Sequence, residues 1–273
     1  MSFSLGAPAQ AHKLGEQVAP HVREAVDRLA WLHVMGDSLR SQAQMDQAEE
    51  MYDQALVLAD ELGDRVQAAT ILTSHAILHQ IRSRLGDAQG LLDAGLARLD
   101  GLPNQPAARR LWLRRAMVNN FAGEVRRAIE SGETALALAR EAGDMWTLSS
   151  ALGQLGIFFV QSAPERMAEG LAYLVESRTI KESLGDRVGL NEALNLLGNA
   201  HMRLGQYPEA LDCFTRTVDL CVDLGIRDDE LCAYINMAMA CHEHGRLDQA
   251  ITHGHRAALG ARETGNALYE GYA

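Results

Sequence analysis

A small residue recurs along this chain at a spacing of 40 residues, with one step of 42. It stands at Ala48, Ala88, Ala128, Gly170, Ala210 and Ala250. A second small residue precedes each of these by twelve residues, or by fourteen in one unit, at Gly36, Ala76, Ala116, Gly156, Gly198 and Ala238. Small residues let two helix backbones approach closely, and a fixed period of this size is typical of repeat proteins. The spacing therefore predicts stacked helical hairpins.

The clearest unit spans residues 194–225. Leu194, Leu197 and His201 fall on one helical face around Gly198, and a break at 205–206 separates them from a second helix. In that second helix Ala210, Phe214 and Thr217 share a face. One hairpin of two antiparallel helices is the simplest fold for this pattern.

Each unit ends on a residue that stops a helix, and the next residue can often cap the following helix. The stops are Gly63, Pro103, Gly143, Gly185, Gly225 and Gly265, and the caps are Asp64, Asp144, Asp186 and Asn266. We predict a flexible segment at 1–20 and a repeat array at 21–273. Its repeats are 22–63, 64–103, 104–143, 144–185, 186–225 and 226–265, followed by the start of a seventh helix at 266–273.

The residues that carry a family resemblance are Leu197, Gly198, Tyr207, Glu209, Ala210, Phe214 and Thr217. Their pattern resembles the tetratricopeptide repeat, in an extended form of 40 residues where the family period is about 34. The resemblance runs from about Val22 to the C-terminus and is weaker in repeats two and three. It implies an all-α fold, an α-α superhelix or solenoid of six helical hairpins plus a partial seventh. Similar extended repeats occur in kinesin light chains and in bacterial peptide-sensing regulators.

Charge and composition argue against nucleic-acid binding, membrane contact and secretion. A net charge of −11 argues against a nucleic-acid partner and against an anionic membrane surface. The first 19 residues do not read as a signal peptide, and apolar runs such as 157–160 are far shorter than the ~20 residues that span a bilayer. We therefore expect a cytoplasmic protein without membrane contact. The four cysteines, at 213, 221, 232 and 241, are expected to be buried free thiols.

Two histidine groups have spacings that suit a metal. His75 and His79 are four residues apart on one helix, but both fall on packing columns and no carboxylate or cysteine joins them nearby, so we expect core histidines. The group at 241–255 (Cys241, His242, His244, His253, His255) spans two helices, with ligands too far apart for one ion. Because catalytic motifs are also absent, we predict no enzyme, no catalytic residue, no metal and no cofactor.

The resemblance implies that the first helices of successive repeats line a concave groove. Counted from the first-helix small residues, the candidate ligand-binding positions are Asn195, Asn199, Asn236, Asn120, Arg110, Arg114, Met117, Phe121, Ile157 and Met239. Met117, Phe121 and Ile157 form an apolar centre that is expected to face solvent unless a partner covers it. An asparagine amide both donates and accepts hydrogen bonds, so it can bind a peptide backbone. The resemblance implies this role for Asn199. The alternative that stays open is that these residues are ordinary solvent-exposed positions without a ligand.

These features predict a non-catalytic scaffold that binds a protein or peptide ligand. Two alternatives stay open. One is a sensory or regulatory input module excised from a larger bacterial signalling protein. The other is a homo-oligomerisation module, a homodimer through the C-terminal repeat face, because residues 266–273 begin a helix and show no capping element.

Overall fold

The computed structural model of the chain describes residues 13–14, 24–102 and 104–264. Within these ranges the secondary structure is twelve α-helices and one 3-10 turn, with no β-strand. The prediction of an all-α chain built from helical hairpins is confirmed. The predicted segments 1–20 and 266–273, and the stops at Pro103 and Gly265, lie outside the described residues, apart from Lys13 and Leu14.

The chain divides into two compact units, Met1–Ala151 and Leu152–Ala273. The helices of the first unit are α1 (Ala25–Ser41), α2 (Met45–Glu61), α3 (Arg65–Ile81), α4 (Leu85–Arg98), α5 (Pro106–Phe121), α6 (Val125–Ala142) and the beginning of α7 (Met145–Ser162). Helices α1 and α2, α3 and α4, and α5 and α6 pack as pairs. The first helices of the pairs are neighbours, since α3 contacts both α1 and α5.

The second unit begins within α7. A 3-10 turn (Pro164–Arg166) follows, and then α8 (Met167–Ser183), α9 (Arg187–Arg203), α10 (Tyr207–Leu224), α11 (Arg227–Glu243) and α12 (Leu247–Thr264). Helix α9 packs against α8 and α10, and α11 packs against α10 and α12.

The small residues lie where helices of one hairpin meet. A Cβ atom at Gly36 would come within 2.6 Å of the Tyr52 ring, and one at Gly198 within 2.5 Å of the Phe214 ring. Both rings are fully buried. Each glycine therefore leaves the space that a large ring on the partner helix fills, as the spacing in the sequence predicts.

At four of the six predicted stops, Gly63, Gly143, Gly185 and Gly225, the glycine has a positive φ. Gly143 and Gly225 are C-caps in the left-handed region, with φ of 64° and 70°, which glycine adopts without steric cost. At the next helix start, the Asp144 carboxylate accepts a hydrogen bond from the Thr147 backbone N–H at 3.1 Å. Asp64 accepts the equivalent bond from the backbone N–H of Gln67 at 2.9 Å. These two caps fix where the hairpins that start with α3 and α7 begin, and so which side chains those helices present.

Candidate ligand-binding site

The first unit contains a cavity of about 460 Å³ lined by its first helices α1, α3 and α5 and by the start of α7. Its lining residues are His33, Asp37, Thr70, Thr73, Ser74, Ile77, Ala107, Arg110, Leu113, Arg114, Met117, Trp146, Thr147 and Ser150. The volume falls in the range of known ligand pockets, about 300–1,000 Å³.

One end of the cavity is a polar network centred on His33. Its Nε2 atom lies 3.0 Å from the Ser74 hydroxyl, and its Nδ1 atom lies 3.3 Å from the Gln67 amide nitrogen. The Asp37 carboxylate lies 3.7 Å from Nε2. Burial lowers the pKa of His33, although Asp37 opposes the shift, so the neutral imidazole is favoured at neutral pH. This end of the cavity therefore offers polar groups that are already held in place.

The wall that α5 contributes is cationic and apolar. Arg110 is exposed, and Arg114, one turn later, lies half-buried with its Nη1 atom 3.5 Å from the Gln80 amide oxygen. Between and beyond them Leu113 and Met117 keep part of their apolar surface exposed. Two guanidinium groups beside apolar side chains suit a ligand that carries both acidic and apolar groups.

Of the predicted site residues, Arg110, Arg114 and Met117 come together in this cavity. Asn120 and Phe121 lie further along α5, outside the lining, and Phe121 is 63% exposed. The sequence interpretation missed Trp146, which is 57% exposed at the cavity edge. It stands ten residues before Gly156, outside the positions that were counted from the small residues. Tryptophan is rare in this chain, which has only three, and this rarity could have drawn attention to Trp146.

The three asparagines Asn195, Asn199 and Asn236 meet within the second unit. The Oδ1 atom of Asn195 accepts hydrogen bonds from the Asn199 amide at 3.2 Å and from the Asn236 amide at 3.3 Å. All three are half-buried. These bonds do not use the amide oxygens of Asn199 and Asn236, so the cluster can still accept hydrogen bonds from a ligand.

Ile157 and Met239 lie in different environments from the one the sequence suggested. Ile157 is only 8% exposed, so the expectation that it faces solvent is wrong. The reason is that α7 has no charged residue and buries every side chain from 155 to 160. Met239 is exposed in a separate depression of about 580 Å³ between α11 and α12, together with Ile251 and Leu259.

The thiols are poorly suited to nucleophilic chemistry. All four cysteines are free, and Cys213, Cys221 and Cys241 are buried, while Cys232 is half-buried. Burial raises the pKa of Cys213 to about 11 and that of Cys221 to about 12, so both are protonated thiols at neutral pH. The expectation of buried free thiols is confirmed for three of the four.

The histidine groups differ from each other. His75 and His79 are buried, as expected, but Glu49 of α2 lies 3.9 Å and 3.7 Å from them, so the expectation that no carboxylate joins them is wrong. In the C-terminal group, the His244 and His253 rings pack against two different tyrosines.

Among the described residues, none of the helices is both long and apolar enough to cross a bilayer.

Comparisons with known proteins agree with this architecture. Family models described as tetratricopeptide repeat match residues 189–258 and 30–66. No curated protein is similar in sequence. Among solved structures, a Rap protein complexed with Competence and Sporulation Factor is 12% identical with a TM-score of 0.71, and the match covers 96% of this chain and 74% of that one.

Two further structures share the fold. Aspartyl phosphate phosphatase F from Bacillus subtilis is 15% identical with a TM-score of 0.71, over 94% of this chain and 65% of that one. The apo quorum sensor NprR from B. thuringiensis is 16% identical with a TM-score of 0.67, over 98% of this chain and 78% of that one. At such identities the likeness concerns the fold, and it confirms the predicted α-α superhelix class. The two family matches cover residues 30–66 and 189–258, and together with the shared fold they support the predicted tetratricopeptide repeat protein.

Proposed function

We propose that this chain is a non-catalytic scaffold that binds an extended peptide, or an extended segment of a partner protein, in the cavity lined by α1, α3 and α5. The observation that carries the proposal is the convergence of Arg110, Arg114 and Trp146 on one open cavity with apolar walls. Side chains of these types are enriched at binding hot spots, because they combine a large contact area with directional hydrogen bonds.

The charge of the cavity defines the chemistry of its ligand. The chain as a whole carries −11, yet two arginines stand one turn apart on α5. A guanidinium group matches a carboxylate with two parallel hydrogen bonds, so we infer that the ligand places an acidic group here. Ile77, Leu113 and Met117 are half-buried and can accept apolar side chains, and methionine adapts to different shapes. The preferred ligand is therefore an extended segment with alternating acidic and apolar residues.

The asparagine cluster of the second unit is proposed as a separate contact. Asn195, Asn199 and Asn236 present amide groups that can pair with a peptide backbone regardless of its side chains. Asn120, Phe121 and Met239 remain proposed contacts for apolar or amide groups of a partner. Ile157 is withdrawn from the proposed site because it is buried.

The comparisons support a binding role of this kind. One of the similar structures is a Rap protein complexed with Competence and Sporulation Factor, and another is a quorum sensor. The second of these favours one alternative in particular, in which this chain serves as the sensory input module of a bacterial signalling protein. The free-standing scaffold and the input module both require a ligand in the same cavity, so one experiment addresses the shared claim.

The test is a selection of random peptides displayed on phage against the wild-type chain, followed by fluorescence-anisotropy titration of the enriched peptides. We expect enriched peptides to carry acidic residues and to bind an Arg110→Glu/Arg114→Glu variant at least ~100-fold more weakly. That factor corresponds to about 3 kcal/mol, the loss of one or two charge-assisted hydrogen bonds.

The matched control is Arg126→Glu/Arg140→Glu, which changes the net charge equally at two exposed positions of α6 outside the cavity. It should keep the wild-type affinity to within a few-fold. Equal weakening in both double variants would attribute binding to net charge alone. Failure to enrich any peptide, or full affinity in the cavity variant, would contradict the proposal.

A further inference from the structure

A second cluster in the first unit lies where α2 meets α3, and none of its residues lines the cavity. His75 and His79 lie one turn apart on α3 and are 6% and 7% exposed. Their Nε2 atoms are 3.2 Å apart. The Oε1 atom of Glu49, on α2, lies 3.9 Å from the first and 3.7 Å from the second. Among the described residues this is the one group of three potential metal ligands whose atoms lie within 4.8 Å of one another.

The distances resemble those around a tetrahedral ion. Zinc binds histidine nitrogen and carboxylate oxygen at about 2.0–2.2 Å, which places neighbouring ligand atoms about 3.3 Å apart. The two Nε2 atoms already have this separation, and the Glu49 oxygen needs to move by only about 0.5 Å to reach it. Two Nε2 atoms that face each other can share one proton at most, whereas a metal ion accepts the lone pairs of both.

A carboxylate lies near the second ring nitrogen of each histidine. The Nδ1 atom of His75 lies 3.9 Å from the Asp53 carboxylate, and that of His79 lies 3.8 Å from the Asp87 carboxylate. The Nδ1 atom of His79 is buried and has no hydrogen-bond partner at closer range. Histidines that bind metals commonly direct their second ring nitrogen at a carboxylate, which fixes the tautomer with a free Nε2 lone pair.

Glu49 is held in place by a hydrogen bond to one of its two oxygens. Its Oε2 atom accepts a hydrogen bond from the Arg82 guanidinium at 2.6 Å, so Oε1 is the oxygen that faces the two histidines. A carboxylate held by one oxygen presents the other at a defined angle, as the supporting residues of metal ligands do.

We propose that Glu49, His75 and His79 bind one divalent transition-metal ion, with Zn²⁺ the best match to a set of two imidazoles and one carboxylate. Three protein ligands leave a fourth position for water. Because the ligands come from α2 and α3, the ion would connect the first hairpin to the second. Binding to the folded state alone then raises the unfolding temperature of the first unit.

The test uses the full chain without an affinity tag, dialysed first against a chelator and then against chelator-free buffer. Calorimetric titration with ZnCl₂ should give one ion per chain and a higher thermal unfolding midpoint. His75→Gln/His79→Gln should abolish this binding, and Glu49→Gln should weaken it at least tenfold. The control His242→Gln/His255→Gln removes two exposed histidines elsewhere and should bind as the wild type does.

Co²⁺ provides a second readout that does not depend on stability. It should give visible d–d absorption in the wild type and in the control, and lose it in Glu49→Gln. If the double histidine variant fails to fold, the Glu49→Gln titration and spectrum decide the question. Absence of binding at 100-fold excess of Zn²⁺ over protein, or undiminished binding and absorption in Glu49→Gln, would overturn the proposal. A loss of binding in the control would overturn it too.

Discussion

Replacing Gly170 with valine is expected to destabilise the second unit by at least about 3 kcal/mol, the upper part of the range for overpacked cores. A Cβ atom at this position would lie 2.6 Å from the carbonyl oxygen of Gly156 and 2.9 Å from the Cβ of Phe159. The closest obstacle is backbone, which cannot rotate away as a side chain can. Helices α7 and α8 must therefore separate, and the buried Leu174 beside them loses its packing.

Urea denaturation followed by circular dichroism measures this loss. The matched control is Gly90→Val, in which the same side chain is added to an exposed glycine of α4 with no atom within 4 Å of the new Cβ. Because valine has a better helix propensity than glycine, the control should be neutral or slightly stabilising. Equal stability of the two variants would show that α7 and α8 do not meet at their glycines.

Replacing Asp144 with alanine is expected to cost about 3 kcal/mol, the lower end of the range measured when one partner of a buried ion pair is removed, because Arg109 is buried while Asp144 is half-buried. Arg109 is buried, and its Nε atom donates to the Asp144 carboxylate at 2.9 Å. The same carboxylate accepts hydrogen bonds from the backbone N–H and the hydroxyl of Thr147. Alanine therefore removes the cap of α7 and leaves a buried guanidinium without its counter-ion.

The control for this prediction is Asp64→Ala, which removes the equivalent cap of α3 at an exposed position. It should cost only about 1 kcal/mol, so the difference between the two variants gives the contribution of the Arg109 pair together with the Thr147 hydroxyl. Burial raises the pKa of Asp144, but hydrogen bonds from Thr147 and Arg109 outweigh it and lower the pKa below its ordinary value of 3.8. The contribution of the ionised Asp144 carboxylate to the free energy of unfolding is thus complete above pH 3.8, and it is lost as the pH falls toward the lowered pKa. A cost of 1 kcal/mol for both variants would contradict the role of Arg109.

The hairpins were predictable because their determinants are local. A glycine with a large ring on the partner helix, as in Gly198 and Phe214, repeats at a fixed sequence spacing that can be read without coordinates. The same holds for the aspartate caps at Asp64 and Asp144, where the acceptor and its donor are three residues apart. In such cases the sequence separation determines the spatial relation almost completely.

The sites were less predictable because they depend on which faces of different helices meet. Glu49 reaches His75 and His79 across 26 and 30 residues, and no spacing within one helix predicts that approach. Ile157 illustrates a different failure. Positions counted from the small residue assume one buried face, whereas the uncharged sequence of α7 indicates a helix buried on most sides.

The most direct test of the central claim, that the cavity of the first unit binds an extended peptide, is site-specific photo-crosslinking. A benzoylphenylalanine is placed at Met117 in the cavity or at exposed Val57 on α2 outside it, and each variant is irradiated with a peptide recovered by display selection. We expect a crosslink from position 117 that excess unlabelled peptide suppresses, and none from position 57. Crosslinking at position 57 in equal or greater yield, or none at position 117 with a peptide that binds, would contradict the account.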